Sequence, residues 1–329
     1  AQEGRPISAV PLSDMERRDT LGSSGYRFII SGHFHGASNS RSGMPAATLL
    51  ANIDSINATG ADLMFTTGDL FLDPARDLAM HRRVFYDKLH MPVYNAVGNH
   101  DVEGGTYAAE VGPTFFAFDR GGDRFIVLDS ERDDSRILGA QLELLEKAAM
   151  DAEADLLRMV FILSHRPVWA EEDPRYKAIF RESTRSLLTT NFRSDVFPLL
   201  ERMAKKAPVY WASGSMGGGA PASIFWEEGA LGIHYIQSAI RDERRDALLL
   251  IDVTEGKVMP SAMSLTGSSV LPVQEYNAAF WTGKKGLSRG FNWRLLPYLV
   301  KSTVTHRNFW WGMLSMALLL FGVRWISRR

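Results

Sequence analysis

The residues best suited to chemistry fall in four places, each just after a short apolar run. Residues 26–30 lead into Ser31-Gly-His33-Phe-His35-Gly36, and residues 63–65 into Thr66-Thr-Gly68-Asp69-Leu-Phe-Leu-Asp73. Residues 91–97 lead into Gly98-Asn99-His100-Asp101, and residues 159–163 into Ser164-His165-Arg166-Pro167. Imidazoles, carboxylates and an amide oxygen are ligands for divalent ions, and His and Asp also move protons. An apolar run that ends in such groups reads as a buried strand delivering them at its carboxyl end. Open α/β sheets place their ligands there.

The elements around these stretches alternate. Apolar spacing predicts helices over 44–56, 77–89, 139–152 and 196–204, with Leu142, Leu144, Leu145 and Ala148 forming a stripe on the third. Strands are expected at 61–65, 93–97, 124–128 and 208–211, and then in series at 223–225, 232–237, 247–253 and 258–265. Residues 169–190 are polar and charged and read as an insertion over the site. Strand–helix alternation followed by a run of strands implies two packed sheets flanked by helices. Residues 1–23 read as an irregular arm and 24–265 as the main domain. Residues 266–307 read as a linker with an interfacial helix near 293–300, and its Phe280, Trp281, Phe291 and Trp293 as exposed side chains for a partner.

The chain has 329 residues, no cysteine and a net charge of −1, so thiolate–metal sites are excluded and nothing argues for nucleic acid. The charge is unevenly spread. Nine basic and no acidic residues follow Glu275, against 28 basic and 38 acidic up to and including it. Residues 309–323 form a run of 15 without a charge, and Arg324 can snorkel, which extends the apolar span to about 18. With tryptophans at both ends, residues 308–327 are expected to be a transmembrane helix. Arg324, Arg328 and Arg329 on one flank, against Lys301 and Arg307 on the other, predict a cytoplasmic C-terminus and a periplasmic or otherwise extracytoplasmic globular domain. The opening Ala1-Gln-Glu suits a mature end after signal-peptide cleavage, and trimming explains it equally well.

The four blocks, in this order, resemble the calcineurin-like metallophosphoesterases, whose motifs run D-x-H, G-D-x-x-D, G-N-H-D/E, a lone His, then G-H-x-H. Gly68-Asp69-Leu-Phe-Leu-Asp73 supplies the second block's glycine and aspartates, and Gly98-Asn99-His100-Asp101 matches the third. The resemblance covers residues 24–265 and implies a four-layer α-β-β-α sandwich. It further implies that Asp69 bridges two ions, that Asn99 and His165 serve the second ion and that His35 serves the first. His100 would then be the proton donor, oriented by Asp101, with Asp73 supporting the second block.

Two departures matter. His33 stands where the family has Asp, and an imidazole brings no negative charge. Where the family has G-H-x-H, this chain has Gly214-Ser215-Met216-Gly217, inside a run that continues to Gly219. Both imidazoles are gone, and among the remaining histidines His81, His90, His234 and His306 none is a ready substitute. Two ions sharing one carboxylate would be poorly neutralised. The expectation is one divalent ion (Mn, Fe or Zn) or none, with His33, His35, Asp69, Asn99 and His165 as candidate ligands. Three readings stay open: a degenerate domain serving as accessory or scaffolding subunit of a membrane complex, docked on an integral membrane partner through its C-terminal helix; a single-metal phosphoesterase acting on an extracytoplasmic phosphomonoester or phosphodiester; and a phosphoryl-ligand or metal sensor without turnover.

Overall fold

The computed structural model describes residue 12 and residues 25–36, 43–171, 173–180, 190–216, 220–284, 296–305 and 307–327. The expected arm (save Leu12), the Gly217–Gly219 run, Phe291, Trp293 and His306 lie outside them. The chain forms two compact units, residues 1–290 and 291–329.

Eleven strands of the first unit make two sheets. The first has the order β11-β10-β1-β2-β3, built from β1 (Gly25–Ser31), β2 (Leu63–Thr66), β3 (Val93–Asn95), β10 (Ala247–Thr254) and β11 (Lys257–Ser264). The second has the order β4-β5-β6-β7-β9-β8, built from β4 (Phe116–Arg120), β5 (Asp123–Val127), β6 (Met159–Leu163), β7 (Val209–Ser213), β8 (Ile224–Glu228) and β9 (Ile233–Ser238). β1, β2 and β3 run parallel, as do β5, β6, β7 and β9. Parallel strands covered on both faces need continuous apolar runs. β2, β6 and β7 are buried at every position.

Aromatic rings join the sheets. Phe28 on β1 meets Phe125 on β5 at 5.5 Å and Phe161 on β6 at 5.1 Å, and Phe65 on β2 stacks on Phe125 at 4.9 Å. A second core, including Ile29, Met64 and Leu248, continues the packing with the Pro74–Val84 helix. The Ala140–Glu153 and Phe197–Ala204 helices contribute Leu145, Ala148, Leu200 and Met203 to the first core. The result is the expected α/β architecture of two sheets with flanking helices.

Several local expectations change. The helix expected over 44–56 is two short ones, Ala47–Leu50 and Ile53–Ala58. Between them Asn52 donates to the carbonyls of Thr48 and Leu265, a side-chain bond that competes with helix continuation. β4 was not anticipated; it pairs with β5 across a Gly121-Gly122 turn in which both glycines have positive φ. Part of 169–190 packs into the core: Tyr176 and Phe180 are buried, and Trp169 is fully buried and stacks on Tyr235 at 5.2 Å, while Pro174, Arg175 and Ala178 are exposed. Residues 266–284 are not free linker either. Val273, Tyr276 and Trp281 are buried, and the Trp281 indole donates to the Ile224 carbonyl at 3.1 Å. Apolar area outweighs linker-like composition here.

In the second unit, Leu296–Thr305 and Arg307–Ile326 are helices. Arg307–Ile326, with a mean hydropathy of 1.5 over its most apolar window, is long and apolar enough to cross a membrane by length and composition.

Candidate metal centre

Parallel strands bring their carboxyl ends to one edge of each sheet, and the two edges adjoin. β1 delivers His33 and His35, β2 delivers Asp69, β3 leads to Gly98-Asn99-His100-Asp101, and β6 delivers His165. The loops interlock through main chain: His33 N–H donates to Gly68 O at 2.8 Å and His35 N–H to Asp69 O at 3.4 Å. His33 (φ 63°) and Asp69 (φ 57°) both sit in the left-handed region. Such conformations are costly outside glycine and persist where surrounding structure enforces them, often at functional sites.

Asp69 is the centre of the cluster. Its Oδ2 lies 3.3 Å from His33 Nδ1, 3.5 Å from His165 Nε2 and 4.0 Å from His35 Nε2. His33, His35 and Asp69 each offer a ligand atom within 4.8 Å of one another, all buried. Gly98 allows the third loop to approach, since a Cβ there would strike the Asp69 carboxylate. Burial opposes charge on Asp69, yet the surrounding imidazoles of His165, His33, His35 and His100 hold its carboxyl well below the usual range. Burial pushes His33 well down and His35 down to about 4, so both rings are neutral near pH 7.

The tautomers decide which nitrogens are available. His165 Nδ1 is 2.8 Å from Thr67 O, which can only accept, so Nδ1 carries the proton and Nε2 the lone pair. That lone pair, buried and without a partner among the described residues, faces a carboxylate oxygen. Both nitrogens of His35 also lack a partner among the described residues. Two acceptors facing each other at 3.5 Å suit a cation between them. Among the described residues the mutually close set of ligand atoms is nevertheless that of His33, His35 and Asp69, with His165 facing Asp69 from β6.

Two of the candidates, His33 and Asn99, have arginine partners. The Arg241 guanidinium donates from Nη1 to His33 Nε2 at 2.9 Å and to Met216 O at 3.2 Å. An arginine can only donate, so His33 has spent its Nε2 lone pair and turns Nδ1–H toward Asp69. Asn99 is exposed, and its Oδ1 accepts from Arg166 Nη2 at 3.3 Å. Arg166 in turn holds Glu131 through two bonds, at 2.7 and 2.8 Å. Arginines thus engage one histidine and one amide among the candidate ligands.

Asp101 is buried among main-chain donors. Its carboxylate accepts from the main-chain N–H groups of Asp69, Leu70, Phe71 and Gly98 and from the Asn95 amide, at 2.8–3.2 Å. Burial and the Asp69 charge raise its pKa. Asp101 ties the second and third loops together. Asp73 caps the Pro74–Val84 helix through the N–H groups of Ala75 and Arg76. His100 is half-buried with its N–H on Asp69 Oδ1 at 3.3 Å.

The loop after β7 is closely packed. Gly214 lies so close to Thr67 that a Cβ would overlap its carbonyl and hydroxyl. Ser215 and Met216 are buried. His234 is no substitute: it stacks on Tyr210 at 4.5 Å, paired in register on neighbouring strands. His81 is fully buried against Phe71 at 5.0 Å. Arg241, which the sequence reading missed, lies just past the end of β9, parallel to β7. Its place after a core strand was the available signal.

No protein-family model matches the chain, and neither does any curated protein. Solved structures do. A dimetal phosphatase from Danio rerio is 12% identical, with a TM-score of 0.52 over 76% of this chain and 98% of that one. The purple acid phosphatase PPD1 from yellow lupin, Lupinus luteus, is 14% identical, with a TM-score of 0.51 over 76% of this chain. This chain spans about half of the lupin protein, 53%. GAP50, described as the anchor in the inner membrane complex of Plasmodium, aligns at 11% identity and a TM-score of 0.49, over 78% of this chain and 93% of that one. The chain has the calcineurin-like metallophosphoesterase fold.

Proposed function

We propose that this protein is a membrane-anchored, catalytically degenerate metallophosphoesterase-fold domain that serves as an accessory or scaffolding subunit of a membrane protein complex. The observation that carries this reading is Arg241, whose guanidinium takes up His33 and the main chain of the loop where two metal-binding histidines would stand. A guanidinium held there supplies positive charge beside His33 without an ion. The intact Gly-Asn-His-Asp block does not argue for turnover by itself, because Asp101 is needed to hold two loops in place. The apolar Arg307–Ile326 helix, exposed along its length, supplies the anchor and the face for an integral membrane partner. In this reading its C-terminus is cytoplasmic and the globular domain extracytoplasmic.

The test is metal analysis of the full chain in detergent after incubation with manganese, zinc or iron and desalting, alongside phosphomonoester and phosphodiester hydrolysis. The expected result is far less than one ion per chain, no hydrolysis, and a membrane protein that co-purifies in fixed ratio. One ion per chain that is lost in Asp69→Asn, together with hydrolysis, would overturn it.

A second reading, a single-metal phosphoesterase, is favoured by the unpartnered His165 Nε2 facing Asp69. Asp69, His35 and His165 would hold the ion, which when bound supplies Lewis acidity and makes a water more acidic. His100, half-buried beside them, would hold the proton for the leaving group. Arg166 would orient the phosphoryl oxygens.

A further inference from the structure

A second cavity, of about 530 Å³, opens in the first unit between the start of β8, the 244–247 segment and residues 264–284. None of the candidate ligands lines it. Its size lies within the range of small-molecule sites. Three of its lining residues are cationic, Arg244, Arg245 and Lys284, and none is acidic.

Two buried polar groups are left over there. Arg245 is 8% exposed; its Nε donates to Glu243 at 2.7 Å, and its Nη1 to the Ala222 carbonyl and the Met216 sulfur. Its Nη2 is buried without a partner among the described residues, and so is the hydroxyl of Ser223, a residue 2% exposed. Native structures seldom leave buried polar atoms unpaired, least of all on a charged group. Arg244 and Lys284 are exposed at the rim, and the Lys284 ammonium lies 3.4 Å from the Phe280 ring centroid. The opposite character is also present: Leu271, Tyr276 and Phe280 give an apolar wall.

We infer that this cavity binds a small organic anion, with its acidic head on Arg245 Nη2, Ser223 Oγ and the rim cations and its apolar body along Leu271, Tyr276 and Phe280. The head is a phosphate, sulfonate or carboxylate group. Glu243 does not compete for the site, because it engages Arg245 at Nε and does not line the cavity.

The test uses the full chain in detergent and ligand-observed NMR titration with benzenesulfonate, which carries both features and cannot be hydrolysed as a phosphoester. Inorganic phosphate, benzyl alcohol and dihexanoyl phosphatidic acid are the comparison probes. The expectation is that benzenesulfonate binds more tightly than phosphate or benzyl alcohol. Ser223→Ala, which removes an unpartnered hydroxyl and leaves packing intact, should weaken it several-fold. Arg244→Gln with Lys284→Gln should weaken it by about tenfold. Asp69→Asn should leave it unchanged. Displacement by the short-chain phosphatidic acid would assign the head to a lipid, and resistance to it would assign the head to a soluble metabolite. Absence of binding, indifference to both sets of variants, equal affinity for inorganic phosphate, or loss in Asp69→Asn would each overturn the inference.

Discussion

Arg241 Nη1 stands 2.9 Å from His33 Nε2 and 3.2 Å from Met216 O, joining a candidate metal ligand to the loop after β7. The arginine satisfies a buried imidazole, caps a buried carbonyl and lends positive charge to a pocket whose two nearest histidines are neutral. It also repels cations. Arg241→Ala should therefore raise zinc retention, by about tenfold in affinity, because His33 regains a free lone pair and a full charge is removed. Equilibrium dialysis with metal analysis checks this, and unchanged retention would show that the arginine does not hold that position against an ion.

Asp101 makes a separate prediction. Five donors converge on its buried carboxylate, four of them from main chain. In Asp101→Asn one oxygen becomes an NH₂ group facing N–H donors. The expected cost is about 2–4 kcal/mol, since buried donors lose their acceptor. For a domain of this size that lowers the melting temperature by roughly 5–15 °C. A melting curve that matches the parent would mean the two loops are held by other contacts.

The sequence carried the strand ends and their polar groups because period and composition are local. Tyr26–Ile30, Leu63–Phe65 and Met159–Leu163 are apolar runs whose burial follows from fold class, and the strands at these places were placed within a residue or two. The occupancy of lone pairs is not local. Whether His33 is a ligand depends on Arg241, a residue 208 positions away, brought back by the parallel pairing of β7 and β9. The partners of Asp101 are likewise not local, since three of them, Asp69, Leu70 and Phe71, belong to the preceding loop. β4 escaped notice although the Gly121-Gly122 pair marks a tight hairpin. Trp281 looked exposed only because its composition-based linker could not reveal the Ile224 carbonyl waiting for its indole.

His81 predicts an acid weakness. It is fully buried, neither ring nitrogen has a partner among the described residues, and burial pushes its pKa down to about 4. A histidine whose folded value lies below its unfolded 6.5 takes up its proton more readily when unfolded. Its neutral form stabilises the fold fully above 6.5, and that contribution is lost as pH falls toward 4. The full difference corresponds to about 3 kcal/mol. His81→Phe, which keeps the contact with Phe71, should flatten the stability profile between pH 6.5 and 4. Urea unfolding at stepped pH measures it, and a variant with the parent's slope would place the acid sensitivity elsewhere.

The Arg307–Ile326 helix buries nothing within the described structure, with Leu318, Leu319 and Phe321 64–73% exposed. Such a surface suits lipid or a partner's apolar face. Full-length chain should remain in the membrane fraction through carbonate washing and leave it only with detergent, whereas chain ending at residue 284 should wash free. Leu318→Arg, near the middle of the span, should reduce insertion at a cost of about 2.5–3.5 kcal/mol. Orientation can be read directly, because the chain has no cysteine of its own. A membrane-impermeant maleimide should label Lys206→Cys, an exposed position on the globular unit, in intact cells. It should label Ser327→Cys, just past the helix, only after permeabilisation. The opposite pattern would reverse the assigned topology and put the Asp69 cluster in the cytoplasm.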